Sequence, residues 1–146
     1  MPTILVATDF SPTAALAVQE AIALAKAIGA EIELLHVHQV DATPIPPTLD
    51  IVTEIPRAED VARAEQSLVE QSHVVRDAGV VCRTQSAFGA PAQEIVARAK
   101  AVAARYLVVG RHGHRPLTEV LLGSVSTRIV RHAPCPLLLV PSSSTT

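Results

Sequence analysis

The sequence predicts an α/β protein built on a doubly wound, five-stranded parallel sheet. Three observations carry the prediction. Short apolar runs alternate with stretches of helical periodicity along the chain. Hydrophobic residues make up 49% of the chain, yet aromatics only 2%, so the apolar content is Ala, Val, Leu and Ile. Small and branched side chains suit strands buried on both faces, with helices lying closely upon them. Third, a glycine-punctuated segment follows the fourth apolar run and leads into a helical pattern.

Ile4-Leu5-Val6-Ala7 reads as a buried first strand that stops at Thr8-Asp9. Ser11 then offers an N-cap and Pro12 the favoured first helical position. Val18, Ala21, Ile22, Ala25 and Ile28 follow at helical spacing until Gly29. The second strand runs from Ile32 to Val37. The stretch from Gln39 to Pro56 holds Pro44, Pro46, Pro47 and Pro56 and is expected to lack regular structure, as a long excursion or lid above the sheet. A polar-rich helix over about Arg57–Asp77 comes next, with Val61, Leu68 and Val75 on one face, and Val80–Thr84 is the third strand. Pro91 opens a helix striped by Ile95, Ala99 and Val102, Tyr106–Val109 is the fourth strand, and a helix from about Ser124 to His132 precedes the fifth, Pro136–Val140. The pattern fits one domain over residues 1–141 with a disordered tail over 142–146.

Composition narrows the function. A formal net charge of −2 and a pI of about 6.3 give no electrostatic footprint for nucleic acid. Phe10, Phe88 and Tyr106 are the only aromatic residues, so stacking platforms for single strands are missing as well. No apolar run approaches the roughly 20 residues of a membrane helix. The first residues lack the basic and apolar regions of a secretory signal. A cytoplasmic protein with neither a nucleic-acid nor a membrane partner is expected. Cys82 and Cys135 form no metal-binding spacing and read as packed thiols.

In an open α/β sheet, ligands bind beyond the carboxyl ends of the strands, where the strand order reverses. Here those ends carry Asp9, Val37-His38 and Gly110. From Gly110 to Ser124 the chain reads G-x2-G-x9-G-S, with glycines at Gly110, Gly113 and Gly123. Glycines let backbone amides approach an anion closely, and the helix opening at Ser124-Val125-Ser126 offers free N–H groups to phosphate. The hydroxyls of Ser124 and Ser126 add donors. The Asp9 carboxylate suits ribose hydroxyls or a metal ion. No P-loop motif, no G-x-G-x-x-G after the first strand and no G-x-S-x-G elbow occurs. His36-Val37-His38 and His112-Gly113-His114 pair imidazoles at i, i+2, but two such ligands fall short of a zinc site, and a dedicated metal site is not expected.

With these residues in view, the chain resembles the universal stress protein family over essentially its whole length. The resemblance rests on the opening Ile-Leu-Val-Ala-Thr-Asp-Phe-Ser, on Leu-Leu-His-Val, and on the block Gly110–Pro141 with its Gly-Ser-Val-Ser and His-Ala-Pro-Cys-Pro-Leu-Leu-Leu-Val. It implies a Rossmann-like, adenine nucleotide alpha hydrolase-like sheet of order 3-2-1-4-5. The G-x2-G-x9-G-S motif matches the branch of the family that binds ATP. It further implies that Ala7 and Asp9 flank the adenosine, that Val37 presents its backbone to the adenine, and that Val109 lines the same pocket. Gly110, Gly113, Gly123, Ser124, Val125 and Ser126 would contact phosphate and ribose, while Arg111, His112 and His114 take no assigned role. Dimerisation through the last strand, Leu137 to Val140, is implied too. The expected function is therefore an ATP-binding, homodimeric stress-response module whose state depends on its nucleotide. ADP or AMP is left open as the resident ligand, and magnesium is expected only as a companion of the phosphates. The alternative is a slow ATPase or phosphoryl or nucleotidyl transferase. The loop has no lysine and no clear base stands out, so an enzyme is disfavoured.

Overall fold

The computed structural model describes residues 1–45, 50–111 and 124–142. Strand β1 (Thr3–Ala7) runs into helix α1 (Pro12–Ile28) through Ser11, whose Oγ accepts the Ala14 N–H at 3.1 Å. Pro12 fixes the first helical φ, and Gly29 closes the helix at φ 69°, a left-handed conformation that glycine adopts without strain. Strand β2 (Glu31–Gln39) follows, then β3 (Asp41–Ile45), β4 (Asp50–Glu54) and helix α2 (Ala58–Asp77). The chain continues through β5 (Cys82–Gly89), α3 (Pro91–Ala101), β6 (Tyr106–Gly110), α4 (Ser124–His132) and β7 (Leu137–Val140).

The main sheet is parallel, in the order β5-β2-β1-β6-β7. Taken over its five strands, this is the expected order 3-2-1-4-5. The reversal falls between β1 and β6, whose carboxyl ends carry Asp9 and Gly110.

Side-chain alternation divides the core between the two faces. Ile4, Val6, Ile32, Leu34 and Val108 point toward α1 and α2, where they meet Ala17, Val18, Ala21, Leu68 and Val75. Leu5, Leu35, Leu107 and Val109 point the other way and pack on Ala92, Ile95 and Ala99 of α3 and Ile129 of α4. Ile4, Leu5, Ile32, Leu34 and Leu107 are completely buried, each contributing about 1.5–3 kcal/mol of transfer free energy. Alanines along α1 bring that helix close to the sheet.

Two expectations are corrected. The segment Gln39–Pro56 is not irregular throughout: β3 and β4 pair antiparallel as a separate two-stranded sheet, with Pro44 opposite Ile51. Both strands of an isolated ribbon are edges, and an edge strand tolerates a residue without an N–H. The third strand of the main sheet is also shifted from Val80–Thr84 to Cys82–Gly89: Val80 and Val81 precede it, and Gln85–Gly89 continue the pairing with Leu35–Gln39 of β2. Gln85 and Ser86 conceal this from apolar periodicity, because an edge strand need not bury both faces. Gly113, Gly123 and the tail beyond Ser142 lie outside the described residues.

Candidate functional site

The turn that ends β1 is held by its own polar groups. The Thr8 N–H donates to the Leu35 carbonyl at 2.9 Å, and its Oγ1 accepts the Phe10 N–H at 3.1 Å. Asp9 Oδ1 accepts the Ser11 N–H at 3.0 Å. Between these contacts Phe10 sits at φ 65°, a left-handed conformation costing a bulky residue about 1–2 kcal/mol. The strain is over-determined by the two hydrogen bonds and by the Phe10 ring, which packs 4.6 Å from the His36 ring. Asp9 is thereby fixed at the carboxyl end of the central strand, half-exposed.

Ala7, Val37 and Val109 all lie on the sheet face that carries α3 and α4. At the upper end of that face opens a cleft of about 320 Å³. Gln39 and Val40 from the end of β2, Ala90–Ala92 from the start of α3, and Ser124, Val125 and Arg128 from α4 form its walls. Its volume lies at the lower bound of small-molecule sites. Three expected site residues thus share that sheet face without lining the cleft, and two others, Ser124 and Val125, border it.

Gly110 and Ser126 show a further role. A Cβ built on Gly110 would stand 2.8 Å from Thr13 Cγ2 and 3.3 Å from the Thr13 backbone, so the end of β6 approaches α1 as only glycine allows. Ser126 is buried, and its Oγ donates to the Arg111 carbonyl at 2.9 Å, tying the first turn of α4 to the residue after β6. The structure therefore gives the Ser126 hydroxyl an internal acceptor.

On the opposite face four rings stand in a row. Phe10 and His36 have centroids 4.6 Å apart, His36 and His38 meet edge-on at 4.7 Å, and His38 stacks on Phe88 at 4.6 Å. His36 Nδ1 donates to the Thr8 carbonyl at 2.8 Å, which fixes its tautomer. Burial holds the His36 imidazole below its ordinary 6.5, against the opposing pull of that hydrogen bond. His38 Nε2 lies 2.9 Å from Glu65 Oε1, and the same oxygen accepts the Ser86 hydroxyl at 2.5 Å. The Ser86 hydrogen bond is the main reason that the Glu65 carboxyl is held below its usual range. Among the described residues no three His, Cys, Asp or Glu side chains converge as metal ligands.

One interaction escaped the sequence reading. Glu33 lies on the face under α3 and is 2% exposed, and Arg98 clamps it with Nε to Oε2 at 2.7 Å and Nη2 to Oε1 at 2.8 Å. A charged residue inside the apolar run Ile32-Glu33-Leu34-Leu35 was the available signal, since a carboxylate between two helical layers requires a partner. The pair fixes α3 on the sheet, and with it the Ala90–Ala92 wall of the cleft.

A doubly wound parallel sheet with a cleft at its carboxyl edge defines an open α/β fold, the architecture in which ligands generally bind at such a crevice. Among the described residues no helix is long and apolar enough to cross a membrane. The family model for the universal stress protein family matches residues 1–141. The chain is 33% identical over 143 residues to the universal stress protein YxiE of Bacillus subtilis, covering 93% of this chain and 96% of that one. The solved structure of universal stress protein UspA from Lactobacillus plantarum superposes with a TM-score of 0.79 at 26% identity, covering 95% of this chain and 97% of the other. A universal stress protein solved in complex with cAMP has a TM-score of 0.72 at 27% identity, with 97% and 98% of the two chains covered. The chain belongs to the universal stress protein family.

Proposed function

We propose that this chain is an ATP-binding regulatory protein that works as a homodimer and whose output depends on whether nucleotide is bound. The observation that carries the reading is the convergence of Ala7, Val37 and Val109 on the face where Ser124 and Val125 border the cleft. The similar fold solved with cAMP supports an adenine nucleotide as the ligand class. In this reading the adenosine lies across Ala7 and Val109 with Val37 beside the base, and Asp9 accepts from the ribose. Gly110, Gly113, Gly123, Ser124, Val125 and Ser126 surround the ribose and phosphates, the Ser126 hydroxyl acting through its bond to Arg111. Magnesium belongs to the reading as a counter-ion of the phosphates, and the setting is the cytoplasm, where the adenine nucleotide pool lies. The homodimer forms along β7, an edge strand of alternating partly buried and exposed leucines with Leu138 at 38% exposure.

Calorimetry of the purified protein with ATP, with and without magnesium, tests the site. A dissociation constant in the micromolar range is expected, and no heat at millimolar ATP would refute the reading. Asp9→Asn keeps an acceptor for the Ser11 N–H while removing the charge, so it should weaken ATP binding about ten-fold with the fold intact. For the dimer, Leu138→Lys should shift the sedimentation coefficient to that of a monomer. A variant that sediments like the parent would remove β7 from the interface.

A further inference from the structure

Most arginines with described side chains have an internal partner. Arg63 pairs with Asp60, Arg83 with Glu31 and Arg98 with Glu33, Arg76 donates to the Cys82 carbonyl, and Arg105 lies over the Tyr106 ring. Arg128 is different. Among the described residues it makes no hydrogen bond or ion pair, and α4, reading SVSTRIVRH, contains no acidic residue to pair with it along the helix. It is also the one charged side chain among the described residues that line the cleft, whose other walls are Gln39, Val40, Ala90, Pro91, Ala92, Ser124 and Val125.

Side chains on a helix lean toward its N-terminus, so a residue covers the surface over the preceding turn. Arg128 lies one turn beyond Ser124, and both border the cleft. Its guanidinium is therefore carried back over the region where Ser124 opens the helix. A fork of N–H donors there, against described walls that supply no competing carboxylate, suits the oxygens of a phosphate chain.

We infer that Arg128 is a specificity-determining residue: it reads the phosphate chain and makes the site select a nucleoside polyphosphate over a nucleoside or a nucleoside monophosphate. The inference rests on the adenine-nucleotide reading above and adds to it a residue outside the glycine motif and a basis for discrimination. Adenosine presents no charge to the guanidinium and AMP presents one phosphate, whereas ATP presents a chain of three.

The test is a set of titrations of the full chain and of Arg128→Ala and Arg128→Lys with adenosine, AMP, ATP and inorganic tripolyphosphate, read by calorimetry at two salt concentrations. Arg128 is exposed, so both variants should keep the parent's circular dichroism and thermal midpoint. In Arg128→Ala, ATP and tripolyphosphate should bind about ten-fold or more weakly, adenosine should be unchanged, and AMP should fall between. Arg128→Lys should recover part of the ATP loss, because charge survives and the bidentate fork does not. The salt dependence of ATP binding should flatten in Arg128→Ala. Equal losses for adenosine and ATP, or no loss for either, would overturn the inference while leaving the adenine site standing. A parent protein that binds none of the adenine ligands would overturn the nucleotide reading, and this inference with it.

Discussion

Arg98→Ala offers the most direct check on how the cleft is held open. The substitution leaves the Glu33 carboxylate 2% exposed under α3 with its bidentate partner gone. Removing one member of a buried pair costs about 3–5 kcal/mol, because the remaining charge is desolvated without compensation. Arg83 Nη2 remains 3.9 Å from Glu33 Oε1, which sets the expected loss at the lower end, about 3 kcal/mol. With a urea slope of about 2 kcal/mol/M, the unfolding midpoint should fall by roughly 1.5 M. The paired replacement Glu33→Leu with Arg98→Met removes both charges and keeps similar volume, so its stability should return to within about 1 kcal/mol of the parent, a midpoint difference of about 0.5 M. Urea titrations of the three proteins at neutral pH, followed by circular dichroism, provide the comparison. An Arg98→Ala midpoint within about 0.5 M of the parent, or a double variant as unstable as the single one, would refute the argument that the ion pair fixes α3.

Three other perturbations have defined outcomes. Gly110→Ala places a methyl group 2.8 Å from Thr13 Cγ2 and should cost about 1–3 kcal/mol, read as a lower thermal midpoint, with Thr13→Ser restoring part of the loss by removing that methyl. An unchanged midpoint in Gly110→Ala would contradict the close approach of β6 and α1. Since burial depresses the His36 pKa in the fold, His36 contributes stability that is present above about 6.5 and is lost as pH falls through the lowered native value. His36→Phe should therefore flatten the stability profile as pH falls below about 6.5, while Glu65, held below its usual 4.5, acts only at more acidic pH. A profile unchanged by His36→Phe would exclude that linkage. Burial pushes the Cys82 thiol up to about 11, so thiol reagents at neutral pH should modify it only after unfolding, and rapid labelling in the native protein would show that the site opens.

The parts of the fold that the sequence disclosed are those where local chemistry and burial agree. Ser11, Pro12 and Gly29 delimit α1, and the apolar runs of β1, β2 and β6 lie at the centre of the sheet, where both faces are covered. At the edges the signal fades: Gln85 and Ser86 belong to a strand although neither is apolar, and four prolines concealed a ribbon that needs no partner sheet. The candidate site is uneven in the same way. Asp9 and Val37 stand at strand ends, which a parallel sheet brings to one edge, whereas Ala7 and Val109 are implied by the family resemblance alone. The Glu33–Arg98 clamp joins residues far apart in the chain, and the left-handed Phe10 depends on backbone N–H hydrogen bonds accepted by Thr8 and Asp9 that no periodicity encodes.

The two borders of the sheet differ, and this difference sets the size of any edge-on assembly. The β7 border is apolar, whereas β5 presents Arg83, Thr84, Gln85 and Ser86, with Arg83 bound to Glu31 of the neighbouring strand. Pairing of β7 with β7 from a second copy about a two-fold axis would use the apolar border of both molecules at once. What then remains outward on each side is a polar, charge-bearing strand, which discourages further addition. If copies pair along β7, growth would end at two, because the second border offers no match for the first.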